Sequence, residues 1–165
     1  MKKIAFKVPL IYFLLMLSLV AFSQDKASAI ETLLVKYYDI KNALVNSEPD
    51  NVIKGATAFS TALKAIDFKT LSTKEQTAFK SVQATLLTGA NSIAETKDLA
   101  KQRALFQSFS DNMIILVKST PLTQPAYITY CPMKKAYWIS SVQLIKNPYY
   151  GSSMLTCGNV AETLK

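Results

Sequence analysis

Histidine is absent from this 165-residue chain, and cysteine occurs only twice, as Cys131 and Cys157. Imidazole is the base of Ser–His–Asp triads and Cys–His dyads, and it is a principal ligand of zinc and non-haem iron. Its absence excludes these arrangements, and the carboxylates of the chain offer no convincing catalytic pair. The sequence therefore predicts a protein that is not an enzyme.

Acidic residues are also scarce, with 11 against 19 basic ones. Proteins that bind nucleic acids gather their basic residues on one face or in runs. Here the basic residues are scattered, and beyond the N-terminal segment no run is longer than Lys134–Lys135. The charge distribution predicts no nucleic-acid partner.

Residues 1–23 have the pattern of a signal peptide. Three lysines near the N-terminus precede an uncharged, mostly apolar run from Val8 to Phe22, and Ala21-Phe22-Ser23 is a small-x-small cleavage pattern. The run is shorter than the roughly 20 residues that span a bilayer. We expect cleavage, no remaining membrane span, and a periplasmic or secreted protein with 16 basic and 11 acidic residues, a balance of +5.

Four segments between Ile30 and Leu116 repeat apolar residues at steps of three and four, which is typical of amphipathic helices. The breaks between them carry helix signals: Pro49 suits a helix start, and Ser72 with Glu75 forms a capping box. The fold class predicted is all-α. An up-down four-helix bundle over residues 24–120 carries an irregular tail, residues 121–165, packed against it as part of one domain.

The single arginine, Arg103, falls near the apolar stripe of the fourth helix. A guanidinium in that position predicts a half-buried structural ion pair, with Asp98, Asp111 or an acid of another helix as its partner.

The tail contains two short sulfur-bearing sequences. Pro132 favours extended backbone at Cys131, so Cys131 and Met133 are expected to point the same way. Met154 and Cys157 are three residues apart, and one helical turn places them on one face, with Gly158 ending the turn. Thiolates and thioethers are soft ligands that suit Cu(I). The hypothesis is a Cu(I) or Ag(I) site made by Cys131, Met133, Met154 and Cys157.

Four further residues are assigned to the neighbourhood of this site. Trp138 is expected to shield it from water, and Lys134 to offset its negative charge. Tyr149 and Gly151 belong to a turn sequence, residues 147–151, that is expected to fold the two sulfur sequences together.

An alternative remains open on the residues alone. An even pair of cysteines in an exported protein suggests a disulfide between Cys131 and Cys157. Closing a loop of about 26 residues stabilises a fold by roughly 3–4 kcal/mol in the chain-entropy model. The protein would then be a disulfide-stapled helical interaction module with no metal, and both methionines would be packing residues.

Several strings carry a resemblance to a known family. Tyr130-Cys131-Pro132-Met133, Trp138-Ile139-Ser140, residues 145–151 and Met154-Leu155-Thr156-Cys157-Gly158 resemble the signature of domain of unknown function 3347. The pattern Gln102-Arg103-x-x-Phe106, with Ser110 further on, is similar to that family as well, so the resemblance extends roughly from Ile30 to the end.

The resemblance implies an exported helical domain, found alone or attached to periplasmic adaptor subunits of copper–silver efflux pumps. It therefore implies a copper-handling role and an efflux adaptor or another periplasmic protein as a partner. Metal-binding modules in those adaptors often read Cys-Pro-Met-His, whereas this chain has Lys134 at the fourth position. Any metal is then expected to be held by sulfur, either alone or with a backbone or solvent oxygen, which favours Cu(I) or Ag(I) over Zn(II) and Cu(II).

Overall fold

A computed structural model describes residues 28–165, in which four α-helices precede a three-stranded antiparallel sheet. The predicted signal peptide lies outside the described residues. Within them, no helix combines the length and apolar character needed to cross a bilayer. The elements in chain order are α1 Ala29–Asn46, α2 Pro49–Lys64, a 3-10 turn Phe68–Thr70, α3 Thr73–Ala94, α4 Leu99–Val117, β1 Ala126–Cys131, β2 Ala136–Ser140, a second 3-10 turn Gly151–Met154, and β3 Asn159–Leu164.

The helices begin where the sequence signals predict. Ser72 caps α3 by accepting the N–H of Glu75, whose carboxylate accepts the N–H of Ser72 in return. Pro49 is at the first position of α2, where its missing N–H costs nothing. Asp98 caps α4 by accepting two backbone N–H groups.

The bundle core is built around stacked aromatic rings. Each helix packs on the next along the chain, and α4 returns to α1. Tyr37 of α1 stacks on Phe106 and Phe109 of α4 with ring centroids 5.4 and 6.0 Å apart, and Phe59 of α2 meets Phe109 edge to face at 4.8 Å. All four rings are buried, so apolar burial and aromatic geometry together hold the bundle closed. The predicted helical bundle is confirmed.

The prediction of an all-α fold with an irregular tail is wrong. Residues beyond Pro121 form a sheet with the order β2-β1-β3, in which both neighbours are antiparallel to β1. The strands are rich in Tyr, Trp, Ile and Thr, which favour pleated and half-buried positions. A four-residue turn, residues 132–135, joins β1 to β2, and Lys135 takes a left-handed conformation there with φ of 54°.

A buried hydroxyl joins the sheet to the bundle. The Tyr37 hydroxyl accepts the backbone N–H of Ile139 at 3.0 Å and shares a 2.7 Å hydrogen bond with Ser110 on α4. Burial raises the pKa of Tyr37 well above its usual range, although both hydrogen bonds act in the opposite direction. The hydroxyl therefore stays protonated and connects α1, α4 and β2.

Lys41 is a charged residue inside this fold, with only 3% of its surface exposed. Within residues 28–165 its ammonium group has no hydrogen bond or ion pair. Burial first, and then the positive charge of Lys146, lower its pKa from 10.5 to about 8. Below that pH the folded protein carries a poorly solvated charge, which disfavours folding.

We predict that Lys41→Met stabilises the protein at pH 7 by about 1–3 kcal/mol, because the variant removes this buried charge. The unfolded chain binds more protons than the folded one between pH 8 and 10.5, so the wild type gains stability as pH rises through that window. Urea unfolding at pH 7 and pH 10 measures both effects. Lys36→Met is the control on the same helix, because Lys36 is only half-buried and its 3.8 Å ion pair with Asp39 is a surface pair that contributes little. An advantage of Lys41→Met that does not shrink at pH 10 would contradict the role of the buried charge.

Candidate functional site

Cys131 is fixed by the sheet. It is the last residue of β1, opposite Ala136 of β2, and it is completely buried. Pro132 follows it, and the extended conformation predicted for the residue before a proline is the one that β1 adopts. Its sulfur therefore has a defined position at the end of a paired strand.

Cys157 is held next to Cys131 by Asn147, which is fully buried. The Asn147 side-chain amide donates to the carbonyl of Cys157 at 2.8 Å, and its backbone N–H donates to Leu155 at 2.8 Å. Its Oδ1 atom accepts the N–H of Tyr149, also at 2.8 Å. One side chain thus ties the turn that begins at residue 147 to the segment that carries Cys157.

Arg103 fixes that turn to the bundle, but not through the predicted ion pair. Its Nε donates to the carbonyl of Pro148 at 3.1 Å. Its Nη2 donates to the carbonyl of Leu44 at 3.0 Å and to the Ser47 hydroxyl at 2.9 Å. The expectation of an acidic partner is wrong because the end of α1 and the turn both present carbonyl groups to a guanidinium, which has only donors.

Gly151 is required beside Arg103. Its φ of +54° is left-handed, and a Cβ atom there would overlap Nη2 of Arg103. The predicted turn over residues 147–151 is present, closed by the N–H of Gly151 donating to the Asn147 carbonyl at 3.1 Å.

The two cysteines meet as free thiols. Their Sγ atoms are 3.5 Å apart and share a hydrogen bond, and the backbone N–H of Lys134 donates to Cys131 Sγ at 3.4 Å. Lys134 thus contacts the sulfur through its backbone N–H, whereas the sequence predicts this role for its ammonium group.

The surroundings of the two thiols shift their pKa values in opposite directions. Burial raises the pKa of Cys131, but hydrogen bonds from Lys134, Cys157, Asn147 and Met133 outweigh it and hold the pKa below 9.0. The pKa of Cys157 is raised, first by its hydrogen bond to Cys131 and then by burial and by the Cys131 charge. Negative charge in the pair is therefore placed on Cys131, with Cys157 as the proton donor.

Neither of the two methionines is buried as Cys131 is. Met133 is 65% exposed while Cys131 is fully buried, so the prediction that the two point the same way is wrong. The reason is the turn over residues 132–135, which ends the extended backbone at Cys131. Met154 is half-buried, and its carbonyl accepts the N–H of Cys157 at 3.1 Å, as the predicted single turn requires. Of the four predicted ligands, the structure brings the two cysteines together.

Trp138 packs against Gly158, the residue that follows Cys157. It is fully buried, and a Cβ atom added to Gly158 would lie 2.8 Å from its ring and 2.9 Å from the carbonyl of Tyr130. Gly158 ends the turn with φ of +146°, which permits this close approach. Tyr149 stands edge-on to Trp138 with centroids 6.1 Å apart, and its hydroxyl donates to the carbonyl of Tyr137.

The chemistry open to this site is that of two adjacent sulfur atoms. Residues 28–165 contain no cluster of three or more His, Cys, Asp and Glu side chains suited to holding a metal ion. Thioethers fall outside that set of ligands. A site here therefore has two thiols as its fixed ligands and draws any further ligand from methionine, backbone or solvent.

The fold and the site define a four-helix bundle with an appended three-stranded sheet that carries paired thiols. Residues 33–124 match the family described as "Protein of unknown function (DUF3347)", and the chain belongs to that family. The match is narrower than the resemblance in the sequence, because it ends before the sheet and includes neither cysteine. The curated proteins contain no match to the chain, and neither do the solved structures.

We predict that Arg103→Ala destabilises the protein by about 2–4 kcal/mol, because hydrogen bonds to a charged group are lost and buried carbonyls are left unpaired. Urea unfolding measures the loss, and a faster reaction of Cys157 with iodoacetamide reports the released turn. Lys101→Ala is the control on the same helix, since its exposed 3.9 Å ion pair with Asp98 contributes less than about 1 kcal/mol. Equal losses in the two variants would refute the anchoring role.

Proposed function

We propose that this protein is an exported accessory protein that binds Cu(I) or Ag(I) through Cys131 and Cys157. The observation that carries the proposal is the contact of the two thiols at 3.5 Å beside backbone N–H donors. The proposal describes a binding role with no catalytic turnover.

The separation of the sulfurs suits a shared metal ion. Two thiolates about 2.3 Å from an ion are about 3.8 Å apart at a tetrahedral angle and about 4.0 Å apart in a trigonal, three-ligand site. Cys131 and Cys157 need to separate by only about 0.3–0.5 Å from their 3.5 Å contact to reach either geometry. A disulfide bond of about 2.0 Å requires a larger movement, of about 1.5 Å.

The ligand type selects the metal. Thiolates favour Cu(I), Ag(I) and Zn(II), but structural Zn(II) sites use four nitrogen, oxygen or sulfur ligands, commonly with imidazole among them. This chain has no imidazole, and its nearest additional sulfurs are thioethers. Cu(I) and Ag(I) accept few ligands and accept thioethers, which supports the soft monovalent ions.

The methionines are proposed as adaptable ligands. Met154 is in the same turn as Cys157, and Met133 is exposed directly after Pro132. Methionine has three rotatable side-chain bonds and a polarisable sulfur, so it adjusts to a metal at low cost. In this proposal Met154 completes the site and Met133 meets metal arriving from solvent.

Backbone N–H groups around the two sulfurs stabilise the negative charge of the proposed metal complex. Two thiolates and one Cu(I) carry a net charge of −1, which the backbone N–H groups of Met133 and Lys134 stabilise by hydrogen bonds to sulfur. Metal binding also releases the thiol proton, so affinity is expected to rise with pH.

The resemblance supports the compartment and the partner of this proposal. An exported domain related to those on copper–silver efflux adaptors has a periplasmic adaptor, or another exported metal protein, as its natural metal partner. The alternative is a disulfide-stapled interaction module with no metal, which the closeness of the two sulfurs also permits. It predicts that protein freshly purified from the exported fraction has neither free thiols nor bound metal.

A Cu(I) competition titration tests the proposal. Protein purified from the exported fraction is reduced under anaerobic conditions and titrated against a chromophoric Cu(I) chelator. We expect one tightly bound equivalent and a loss of affinity of about 100-fold or more in Cys131→Ser and Cys157→Ser, since losing a ligand exceeds the 10- to 100-fold typical of a supporting residue. Met154→Leu is expected to cost less than either cysteine.

Leu155→Ala is the matched control, because it changes the same turn without removing sulfur. Thermal unfolding of each metal-free variant checks that the fold survives. Failure of the reduced wild type to bind one equivalent, or an affinity unchanged by Cys131→Ser, eliminates the metal site.

A further inference from the structure

The two thiols differ in access to solvent. Cys131 has no exposed surface, whereas Cys157 is half-buried and its neighbour Leu155 is 38% exposed. A reagent approaching from solvent therefore meets the sulfur of Cys157 first.

The two thiols also differ in how firmly hydrogen bonds hold the backbone around them. Cys131 is paired with Ala136 inside the sheet, and its neighbour Tyr130 is paired with both β2 and β3. Cys157 is in the turn between Met154 and β3, held by the Asn147 amide and by one bond to Met154. The turn is thus the side on which the pair can close from 3.5 Å to a bond of about 2.0 Å.

We propose that Cys131 and Cys157 form a reversible, ordered thiol–disulfide couple, in which Cys157 exchanges with an external disulfide and Cys131 resolves the product. The inference rests on the proposed function in one respect: oxidation of the couple closes the metal site.

The first step joins the protein to the oxidant, a small or protein-borne disulfide. Cys157 reacts first because solvent reaches it, although its pKa is raised and it must first give up its proton to solvent. Its sulfur then attacks one sulfur of the disulfide, and the oxidant's S–S bond breaks as a mixed disulfide forms on Cys157. The oxidant's other sulfur leaves as a thiolate and takes up a proton.

The second step is internal. Cys131 attacks Cys157 Sγ, the mixed disulfide breaks, and the second thiol of the oxidant leaves. Two thiols have become one disulfide, while two electrons and two protons have passed to the oxidant, now two thiols. The N–H of Lys134 at 3.4 Å supports negative charge on Cys131 before this attack.

The oxidised pair, with a disulfide between Cys131 and Cys157, cannot bind a soft metal in the proposed way. Both thiolates are consumed in the S–S bond, and a disulfide is a poor ligand compared with a thiolate. A reducing partner reverses both steps and restores the thiols, so the site is available for metal only in its reduced state.

The test uses 5,5′-dithiobis(2-nitrobenzoate), an aromatic disulfide, on reduced, metal-free, full-length exported protein. Wild type is expected to release two coloured thiols and to finish with no adduct and a mass two hydrogens lower. Cys131→Ser is expected to release one and to keep a stable adduct on Cys157. Cys157→Ser is expected to react at least about tenfold more slowly than Cys131→Ser, because its remaining thiol is buried.

Thermal unfolding and repeat reactions in 6 M urea show that each variant is folded and that its thiol is intact. Two adducts on the folded wild type, or Cys157→Ser reacting as fast as Cys131→Ser, would overturn the ordered couple. The metal proposal fails separately: reduced protein that binds no Cu(I) but gives the predicted adduct pattern eliminates the metal site and leaves the couple.

Discussion

The position of the turn that carries Cys157 depends on two neighbouring anchors, Arg103 and Asn147. Arg103 ties the Pro148 carbonyl to the carbonyl end of α1, and Asn147 ties the next part of the chain to Cys157. Each partner is a backbone carbonyl or amide that would be unsatisfied if the anchor were lost. The contact between the two thiols therefore depends on the hydrogen bonds of Arg103 and Asn147, because the sheet alone fixes only the sulfur of Cys131.

The helices were predictable from the sequence, and the sheet was not. Helix starts such as Ser72 and Pro49 use signals within four residues, and apolar spacing reports the buried face locally. The pairing of β1 with β3 joins residues 29 to 38 positions apart in the chain, and its register shifts between Ile128 and Thr129. No local pattern encodes such a partner. Aromatic residues followed by prolines and glycines were consequently interpreted as an irregular tail.

The candidate site was half predictable for similar reasons. The pairing of two cysteines follows from their number, and the turn at Gly151 from its composition. The exposure of Met133 depends on where β1 ends, which its spacing from Cys131 does not reveal. Arg103 and Asn147 bind carbonyl groups, and every residue has one, so the sequence offers no signal for which ones they select. The only indications of these anchors in the sequence are that Arg103 is the single arginine and that Asn147 begins a turn sequence.

The family match ends before the sheet, yet the matched residues include what supports the site. Tyr37 and Ser110 hold β2, Arg103 holds the turn, and Phe106 packs against Tyr149 with centroids 5.9 Å apart. The bundle is thus shaped to carry the sheet, and the thiols are at the end of a continuous chain of buried contacts that begins in α4.

A chain without imidazole has few ways to hold a metal or exchange electrons, and paired sulfurs are one of them. Backbone N–H groups supply the charge stabilisation there that a histidine or a cationic side chain would otherwise provide, and they do so with a geometry fixed by the turn after β1. The construction of this region is thus hierarchical: a rigid bundle positions a sheet, the sheet fixes one sulfur, and a turn anchored by polar bonds brings the second sulfur to it.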